Sequence, residues 1–124
     1  MKILVTGSRY WTNSTTIRNV LETVSGWSSE DFSGITVIHG ACKGADLIAE
    51  QEAIDLGMNT KSYSANWDEY GKAAGMIRNK EMLDKEHPDL VLAFHEDLFN
   101  KSKGTLHMVK YALEKGVPVE IYPL

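Results

Sequence analysis

Short stretches that combine glycine with basic or polar residues recur along this sequence. They read GSR at 7–9, HGACKGAD at 39–46, NW at 66–67, RN at 78–79 and KGT at 103–105. Glycine lets backbone approach a ligand closely, and arginine and lysine neutralise negative charge. Together these residue types predict a site for a small anion, provided that the chain folds so as to bring them together.

The KGT stretch offers the most direct chemistry. Gly104 and Thr105 stand at the predicted start of a helix, where unpaired N–H groups and the helix dipole favour a phosphate. Further positive charge could come from four basic residues, Arg9, Lys43, Arg78 and Lys103. Arginine can hold a phosphate through two parallel hydrogen bonds.

A nucleotide would also need contacts for its base and its sugar. Trp67 or Trp11 could stack on a base, and Asp46, in the first turn of a predicted helix, could accept hydrogen bonds from ribose hydroxyls. Each residue also has an ordinary structural explanation. An aspartate is favoured at any helix start by the dipole, and tryptophans are common in cores. From the residues alone these alternatives stay open.

The pattern of apolar residues predicts the elements that must position these stretches. Apolar runs predict strands, and apolar residues three or four apart predict helices. The predicted strands are Lys2–Thr6, Ile35–His39, Thr60–Ser64, Asp89–His95 and Val117–Tyr122, with Pro118 favouring a sheet edge for the last. The predicted helices are one capped by Asn13 or Ser14, one over Ala45–Leu56, one over Gly71–Lys85 and one that Gly116 ends. Ser25–Gly34 is predicted to be a surface loop.

This alternation of strand and helix predicts an α/β protein. We expect one domain over residues 1–124, a Rossmann-like three-layer sandwich with a five-stranded, mainly parallel sheet. In such sheets a ligand binds beyond the carboxyl ends of the strands, near the point where strand order reverses. GSR, HGACKGAD, NW and KGT all follow predicted strands, so we expect them at that edge.

Composition excludes several kinds of function. The net charge is −4 without a dense basic run, which disfavours DNA or RNA as a partner. No apolar stretch approaches the roughly 20 residues that span a bilayer, and the apolar part of MKILVTGSRYW is too short for a signal peptide. We therefore expect a cytoplasmic protein. The single cysteine, Cys42, and the four histidines lack ligand spacing, so neither a metal nor a cofactor is predicted.

Five motifs, in order along nearly the whole chain, resemble one superfamily. They are VTGSR, HGACKGAD, ANW, AGMIRNKEM and KGTLHMVKYALEKGVPV. The chain is similar to the SLOG superfamily, and within it to the YspA-like (cpYpsA-related) branch of bacteria and their phages. The superfamily also contains the "Lonely guy" phosphoribohydrolases and the DNA-processing protein DprA. The resemblance implies a Rossmann-like fold that binds a nucleotide or a derivative such as ADP-ribose or NAD. Its implied binding positions are Gly7, Ser8, Arg9, His39, Gly40, Gly44, Asp46, Asn66, Arg78, Asn79, Gly104 and Thr105.

The sequence departs from the phosphoribohydrolases at one functional position. Their PGGxGTxxE motif ends in a glutamate that acts on the glycosidic bond, and Met108 stands at the corresponding position here. The Gly104-Thr105 pair is kept. The resemblance therefore favours binding, by a sensor or sequestering module that takes up a small nucleotide-derived ligand. An N-glycosidase is the alternative, with Asp46, Arg78 and His107 as its catalytic candidates. Relatives of this kind often dimerise, so a homodimer or larger homo-oligomer is also expected.

Overall fold

The computed structural model of the protein describes residues 1–26 and 32–123. Within them, a five-stranded parallel sheet has the order β3-β2-β1-β4-β5. The strands are β1 Lys2–Gly7, β2 Thr36–His39, β3 Asn59–Ser62, β4 Leu90–Phe94 and β5 Val119–Tyr122. The chain runs outward from β1 to β3 and then returns to the other side of β1. The carboxyl ends of β1 and β4 therefore flank the point where strand order reverses.

Helices cover both faces of the sheet. They are α1 Ser14–Ser25, α2 Ala45–Leu56, α3 Trp67–Tyr70, α4 Ala74–Glu86, α5 Leu98–Lys101 and α6 Gly104–Glu114. Helix α1 packs beside α2, and α4 packs beside α6. This arrangement confirms the predicted Rossmann-like three-layer sandwich. No helix in the described ranges is long and apolar enough to cross a membrane.

The core lies on the two sides of the central strands. Ile3 and Val5 point into the cluster beneath α1 and α2, whereas Leu4 points into the cluster beneath α4 and α6. All three side chains are fully buried. Strand β4 is buried along its whole length, as the apolar run had predicted. A rigid central pair of strands thus carries the loops that follow Gly7 and Phe94.

The helix caps follow from the residues at each end. The Asn13 side chain accepts a hydrogen bond from Thr16 N, and Gly57, with φ +89°, ends α2 in the left-handed conformation. His87 adopts the same conformation, with φ +49°, at the end of α4. The predicted edge position of Pro118 is confirmed, because β5 pairs with β4 alone among the described strands.

Some predicted bounds differ from the structure. The one-turn helices α3 and α5 occupy segments in which no helix was predicted, because four residues are too few to show a helical period. The predicted helix Gly71–Lys85 begins as a 3₁₀ turn over Gly71–Ala73 and becomes α-helical at Ala74. The predicted loop Ser25–Gly34 falls largely on residues 27–31, which lie outside the described residues; Phe32–Gly34 form a 3₁₀ turn.

Two glycines allow β1, β4 and α2 to meet closely. A Cβ atom on Gly7 would lie 2.6 Å from the Cβ of Ala45 and would also clash with the Phe94 carbonyl. Gly44 has φ +86°, and its Cβ would clash with the backbone of Ser8 and Arg9. The loop after β1 and the start of α2 are therefore in direct backbone contact, and Ala45 N donates to Ser8 O at 3.0 Å.

Candidate functional site

A cleft of about 500 Å³ opens beyond the carboxyl ends of β1 and β4. It lies where strand order reverses, the position expected for a ligand in this type of sheet. Most residues predicted to bind a ligand line it: Gly7, Ser8, Arg9, Asp46, Trp67, Arg78, Asn79, Lys103, Gly104 and Thr105. The segments that looked separate in the sequence therefore meet around one cavity.

The remaining predicted residues lie outside the lining of the cleft. The His39 side chain is fully buried, accepts a hydrogen bond from Ala41 N at 3.0 Å and lies 3.0 Å from a Glu50 oxygen. Asn66 caps α3: its Oδ1 accepts a hydrogen bond from Glu69 N, and its Nδ2 donates one to the Glu69 carboxylate. Lys43 is exposed to solvent. Gly40 lies against the Arg78 guanidinium, and Gly44 lies against the backbone of Ser8 and Arg9. These residues shape the loops around the site.

Arg78 reaches the cleft from α4 and is held in place by two neighbours. Its Nη1 donates to Gly40 O at 2.7 Å, and its Nε donates to the Asn79 Oδ1 at 3.1 Å. A Cβ atom on Gly40 would lie 2.7 Å from the guanidinium carbon of Arg78. Glycine at position 40 thus makes room for Arg78. Gly40 therefore contributes to the site although Gly40 itself does not line the cleft.

Asp46 is a buried carboxylate in the first turn of α2, with 6% of its surface exposed. Its Oδ2 accepts hydrogen bonds from Gly40 N at 3.1 Å and Cys42 N at 3.3 Å. Burial raises the pKa of Asp46 to about 6, and the two N–H groups with the nearby charges of His39 and Arg78 only partly offset that effect. A buried carboxyl group that titrates near neutrality in a cleft is a feature of functional sites.

The start of α6 supplies backbone donors to the cleft. Leu106 N is satisfied by the Ser102 Oγ at 3.0 Å, but Gly104 N and Thr105 N donate to no described residue. A Cβ atom on Gly104 would meet nothing within 4 Å, so packing does not require glycine there. Asn79 Nδ2 donates to Gly104 O at 3.1 Å and ties this helix start to α4. Two free N–H groups at a helix start bind anions well.

The cleft is basic although the protein is acidic overall. Five cationic side chains line it, Arg9, Lys72, Arg78, Lys101 and Lys103, against two carboxylates, Asp46 and Glu96. Among the ion pairs of the described residues, none includes any of these five cations. The net charge of the whole chain is −4. Positive charge is therefore concentrated at this cleft, and the two carboxylates offset only part of it.

The sequence profile of the YspA, cpYpsA-related SLOG family matches residues 1–70. The chain belongs to this family. The chain is 36% identical over 123 residues to the "Gene 61 protein" of Mycobacterium phage D29, an alignment that covers 95% of this chain and 93% of that relative. The relative agrees with the predicted phage or bacterial setting, and the predicted SLOG resemblance is confirmed.

The fold of this SLOG protein is also found in a solved structure. It superimposes on DNA processing protein A (DprA) from Streptococcus pneumoniae with a TM-score of 0.73 and 18% sequence identity. The match covers 97% of this chain and 49% of the DprA chain, so this chain spans about half the length of that neighbour. At this identity the likeness shows a shared fold alone.

Several lining residues of the SLOG cleft were missed by sequence reasoning. Glu96, Lys72 and Lys101 line the cleft and flank or belong to the short helices α3 and α5. His95 was predicted only as the end of a strand; its Nδ1 accepts a hydrogen bond from Asp97 N at 2.9 Å, and its side chain also lines the cleft. The only available signal was that Glu96 directly follows the predicted strand Asp89–His95.

The aromatic candidates separate clearly. Trp67 is 59% exposed at the cleft, and Tyr10, which was not predicted, is 75% exposed beside it. Trp11 packs on Phe94, with ring centroids 5.6 Å apart, and its Nε1 donates to Asn13 O at 2.9 Å. Trp11 is therefore a core residue, and Trp67 and Tyr10 are the rings that a ligand can reach.

Two positions bear on catalysis in this SLOG chain. Met108, which stands where phosphoribohydrolases have their glutamate, is fully buried between the sheet and α4. His107 lies outside the lining of the cleft, stacks on Tyr111, and has its Nδ1 3.4 Å from the Asn79 Nδ2. Burial and the charge of Lys80 lower the pKa of His107. Asp46 and Glu96 are thus the carboxylates at the cleft. No group of metal-binding side chains occurs within residues 1–26 and 32–123.

Proposed function

We propose that this protein binds a nucleotide or a nucleotide derivative, such as a nucleoside phosphate or an ADP-ribose- or NAD-like molecule. It would act as a sensor or as a module that sequesters its ligand in the cytoplasm of a bacterium or a phage-infected host. The observation that carries the proposal is the convergence of five cations and the N–H groups of Gly104 and Thr105, which form no ion pair and donate no hydrogen bond, respectively, to any residue that the structure describes. Such a set of donors recognises phosphate oxygens.

The phosphate would lie at the start of α6. Gly104 N and Thr105 N would donate to its oxygens, and the helix dipole adds to their attraction. Arg78 approaches from α4 and Lys103 precedes the helix, so positive charge would surround the phosphate on more than one side. The lack of a side chain on Gly104 leaves room for an oxygen to approach the backbone.

The base would stack on an exposed ring at the rim. Trp67 and Tyr10 both line the cleft and both expose much of their surface. A ring exposed to this degree contributes little to the core, so its function is more simply explained by a ligand. Stacking on aromatic side chains stabilises a bound base by about 1–3 kcal/mol.

Calorimetric titration tests the proposal. The protein is titrated with AMP, GMP, CMP, ADP-ribose, NAD and cyclic nucleotides, first in low and then in high salt. We expect at least one compound to bind, more weakly as salt rises. Gly104→Ala should weaken that binding about tenfold, because a methyl group would displace the phosphate from the two N–H groups.

Gly34→Ala is the matched control for that variant. Gly34 and Gly104 both have open space around a new Cβ, and neither has a positive φ. Both substitutions should leave the thermal midpoint unchanged or slightly raised. Only Gly104→Ala should reduce affinity. The absence of binding by every compound, or an equal effect of the two substitutions, would refute the phosphate site.

Hydrolysis of the bond between base and ribose is the second candidate function. It is favoured by Asp46, a buried carboxyl group at the cleft with a pKa of about 6. Chromatography of AMP and NAD after incubation would detect a released base. In that case Asp46→Asn should abolish release and largely retain binding. If binding occurs without release in the wild type, the protein is a binding module.

Assembly and nucleic-acid binding can be tested separately. Helix α2 exposes Leu47 and Ile54, seven residues apart on one face, which is a plausible contact for a homodimer. Light scattering of the wild type and of Ile54→Lys would detect it. Nucleic acid stays an unfavoured partner because of the net charge of −4, and a salt-dependent affinity for single-stranded DNA would contradict that view.

A further inference from the structure

Glu96 is an acid in a cleft that otherwise attracts anions. It lines the cleft together with Arg9, Lys72, Arg78, Lys101 and Lys103. A carboxylate beside a phosphate would be repelled by it, which would weaken the site. Glu96 must therefore face a part of the ligand that carries no negative charge. Because a carboxylate accepts hydrogen bonds, that part of the ligand should carry hydrogen-bond donors.

The position of Glu96 is fixed by a buried neighbour. The Ser8 Oγ donates to the Glu96 Oε1 at 2.8 Å, and Ser8 is 4% exposed. The same Oγ accepts a hydrogen bond from Tyr10 N at 3.0 Å, so its single hydrogen is committed to the glutamate. The other oxygen, Oε2, accepts a hydrogen bond from no other residue that the structure describes. Ser8 thus holds Oε1, and the carboxylate, which also accepts a hydrogen bond from its own backbone N–H, keeps further acceptor capacity for a ligand.

Glu96 also lines a second recess next to the cleft. This recess measures about 330 Å³ and is lined by Tyr10, Trp11, Thr12, Asn13 and Glu96. Tyr10 and Glu96 belong to both linings, so the two spaces adjoin at these residues. Among the described residues that line the recess, one is acidic and none is basic. The cationic side chains therefore line the cleft, and the negative charge of Glu96 lies where the cleft adjoins the recess.

We propose that Glu96 reads the vicinal hydroxyl groups of the ligand's ribose, at the junction between the basic cleft and the recess. This inference rests on the proposed function and names the residue that distinguishes a ribose from other groups. Two adjacent hydroxyls can donate to one carboxylate, and Glu96 Oε2 with the partly used Oε1 offers the acceptors. The ring of Tyr10 would cover the sugar from the solvent side.

The ionisation of Glu96 supports this role. Partial burial raises the pKa of Glu96, but hydrogen bonds from its own backbone N–H and from Ser8, with the charges of His95 and Lys101, outweigh that effect. The pKa therefore lies below its ordinary value, and the group stays an acceptor at neutral pH. Asp46 is the competing carboxylate. Its Oδ2 is occupied by Gly40 N and Cys42 N, and only 6% of the residue is exposed.

The test compares ribose with a sugar that lacks both hydroxyls. AMP and CMP, each beside its 2′,3′-dideoxy analogue, are titrated calorimetrically into the wild type and Glu96→Gln. In the wild type, loss of the hydroxyls should weaken binding at least tenfold. In Glu96→Gln that penalty should fall below threefold, while the dideoxy compounds bind as well as before or better, since a negative charge is removed.

Further variants separate the role of Glu96 from general damage. Ser8→Ala should give an intermediate penalty, because the glutamate is no longer held; a merely structural role would weaken ribose and dideoxy compounds equally. Glu114→Gln removes the same charge from an exposed position on α6 outside the cleft and should retain the full penalty.

Three results would overturn the inference. They are an equal penalty in the wild type and in Glu96→Gln, no penalty in the wild type, or a penalty lost in Asp46→Asn but retained in Glu96→Gln. If the wild type binds none of the four compounds, the inference is refuted; the proposed function is refuted as well only if GMP, ADP-ribose, NAD and the cyclic nucleotides also fail to bind. If the wild type binds all four compounds equally well, the recognition of hydroxyl groups by Glu96 is refuted and the proposed function is not.

Discussion

Asp46→Asn is expected to stabilise the fold at neutral pH and to have no such effect in acid. Burial raises the pKa of Asp46 to about 6, whereas an aspartate in the unfolded chain titrates near 3.9. Between these values the native state binds more protons than the unfolded state, so stability falls as pH rises through this window. Each pKa unit corresponds to about 1.4 kcal/mol, so the ionised carboxylate costs about 3 kcal/mol above pH 6.

Asparagine is a good mimic of the protonated form. Its Oδ1 can accept the hydrogen bonds from Gly40 N and Cys42 N that Asp46 Oδ2 now accepts. Urea unfolding of the wild type and Asp46→Asn should therefore be compared at pH 4 and pH 8. Because an unfolded aspartate is already half ionised near pH 4, the stabilisation by asparagine should be about 2.5 kcal/mol greater at pH 8 than at pH 4.

The decisive quantity is the change in the stabilisation by Asp46→Asn between pH 4 and pH 8. The effects of other titrating groups cancel in it because they are present in both proteins. Asp68→Asn, at an exposed position on α3, is the control and should change stability little at either pH. If Asp46→Asn destabilises the protein equally at both pH values, burial does not raise the pKa of this carboxyl group. A gain in stability with a loss of ligand affinity or turnover would mark Asp46 as retained for function.

Three further predictions concern glycines and one ion cluster. Gly44→Ala should destabilise the fold by about 3 kcal/mol in urea unfolding, because its φ is +86° and its methyl would meet the Ser8 backbone; a loss below 1 kcal/mol would contradict this. Gly40→Ala should change stability by less than about 1 kcal/mol but weaken AMP binding about tenfold, since only the mobile end of Arg78 must move; unaltered affinity would show that this arginine is not needed. Glu86→Gln should cost about 1–2 kcal/mol at pH 7, because hydrogen bonds from Lys61, Tyr63 and Lys2 hold the pKa of Glu86 at about 2. That loss should shrink as pH falls below about 4.5 towards 2, and a pH-independent loss would count against the charged cluster.

The sheet and its order of elements could be predicted because the inner strands β1, β2 and β4 are mainly apolar and buried. Asp89–His95 was predicted and Leu90–Phe94 is observed, with every residue buried. Strand β3 was the weakest prediction, Thr60–Ser64 against the observed Asn59–Ser62, because it lies at a sheet edge and its residues are mostly exposed. The pattern of apolar residues predicts a strand well where its positions are buried and therefore require apolar side chains. It predicts a strand poorly where the positions are exposed and accept polar side chains as well.

The candidate site was predictable in position but only partly in membership. The rule that ligands bind beyond the carboxyl ends of strands brought Gly7, Asp46 and Gly104 to one edge. It could not tell which way a side chain points. His39 is the last residue of β2, and its buried side chain contacts Glu50, whereas Glu96 lies two residues beyond the end of β4 and lines the cleft. That distinction depends on tertiary contacts that adjacent letters of a sequence do not encode.

The two sides of the cleft differ in how firmly they are built. Its floor is backbone of β1, β4 and α2 in direct contact around Gly7 and Gly44, whereas its rim includes the one-turn helices α3 and α5. A single helical turn has little stability of its own, since the cost of forming it is met by few hydrogen bonds. We therefore expect the floor to keep its shape when a ligand enters and the rates of ligand entry and exit to depend on the rim. Substitutions in α3 or α5 should alter how long a ligand remains bound while leaving the free energy of unfolding almost unchanged.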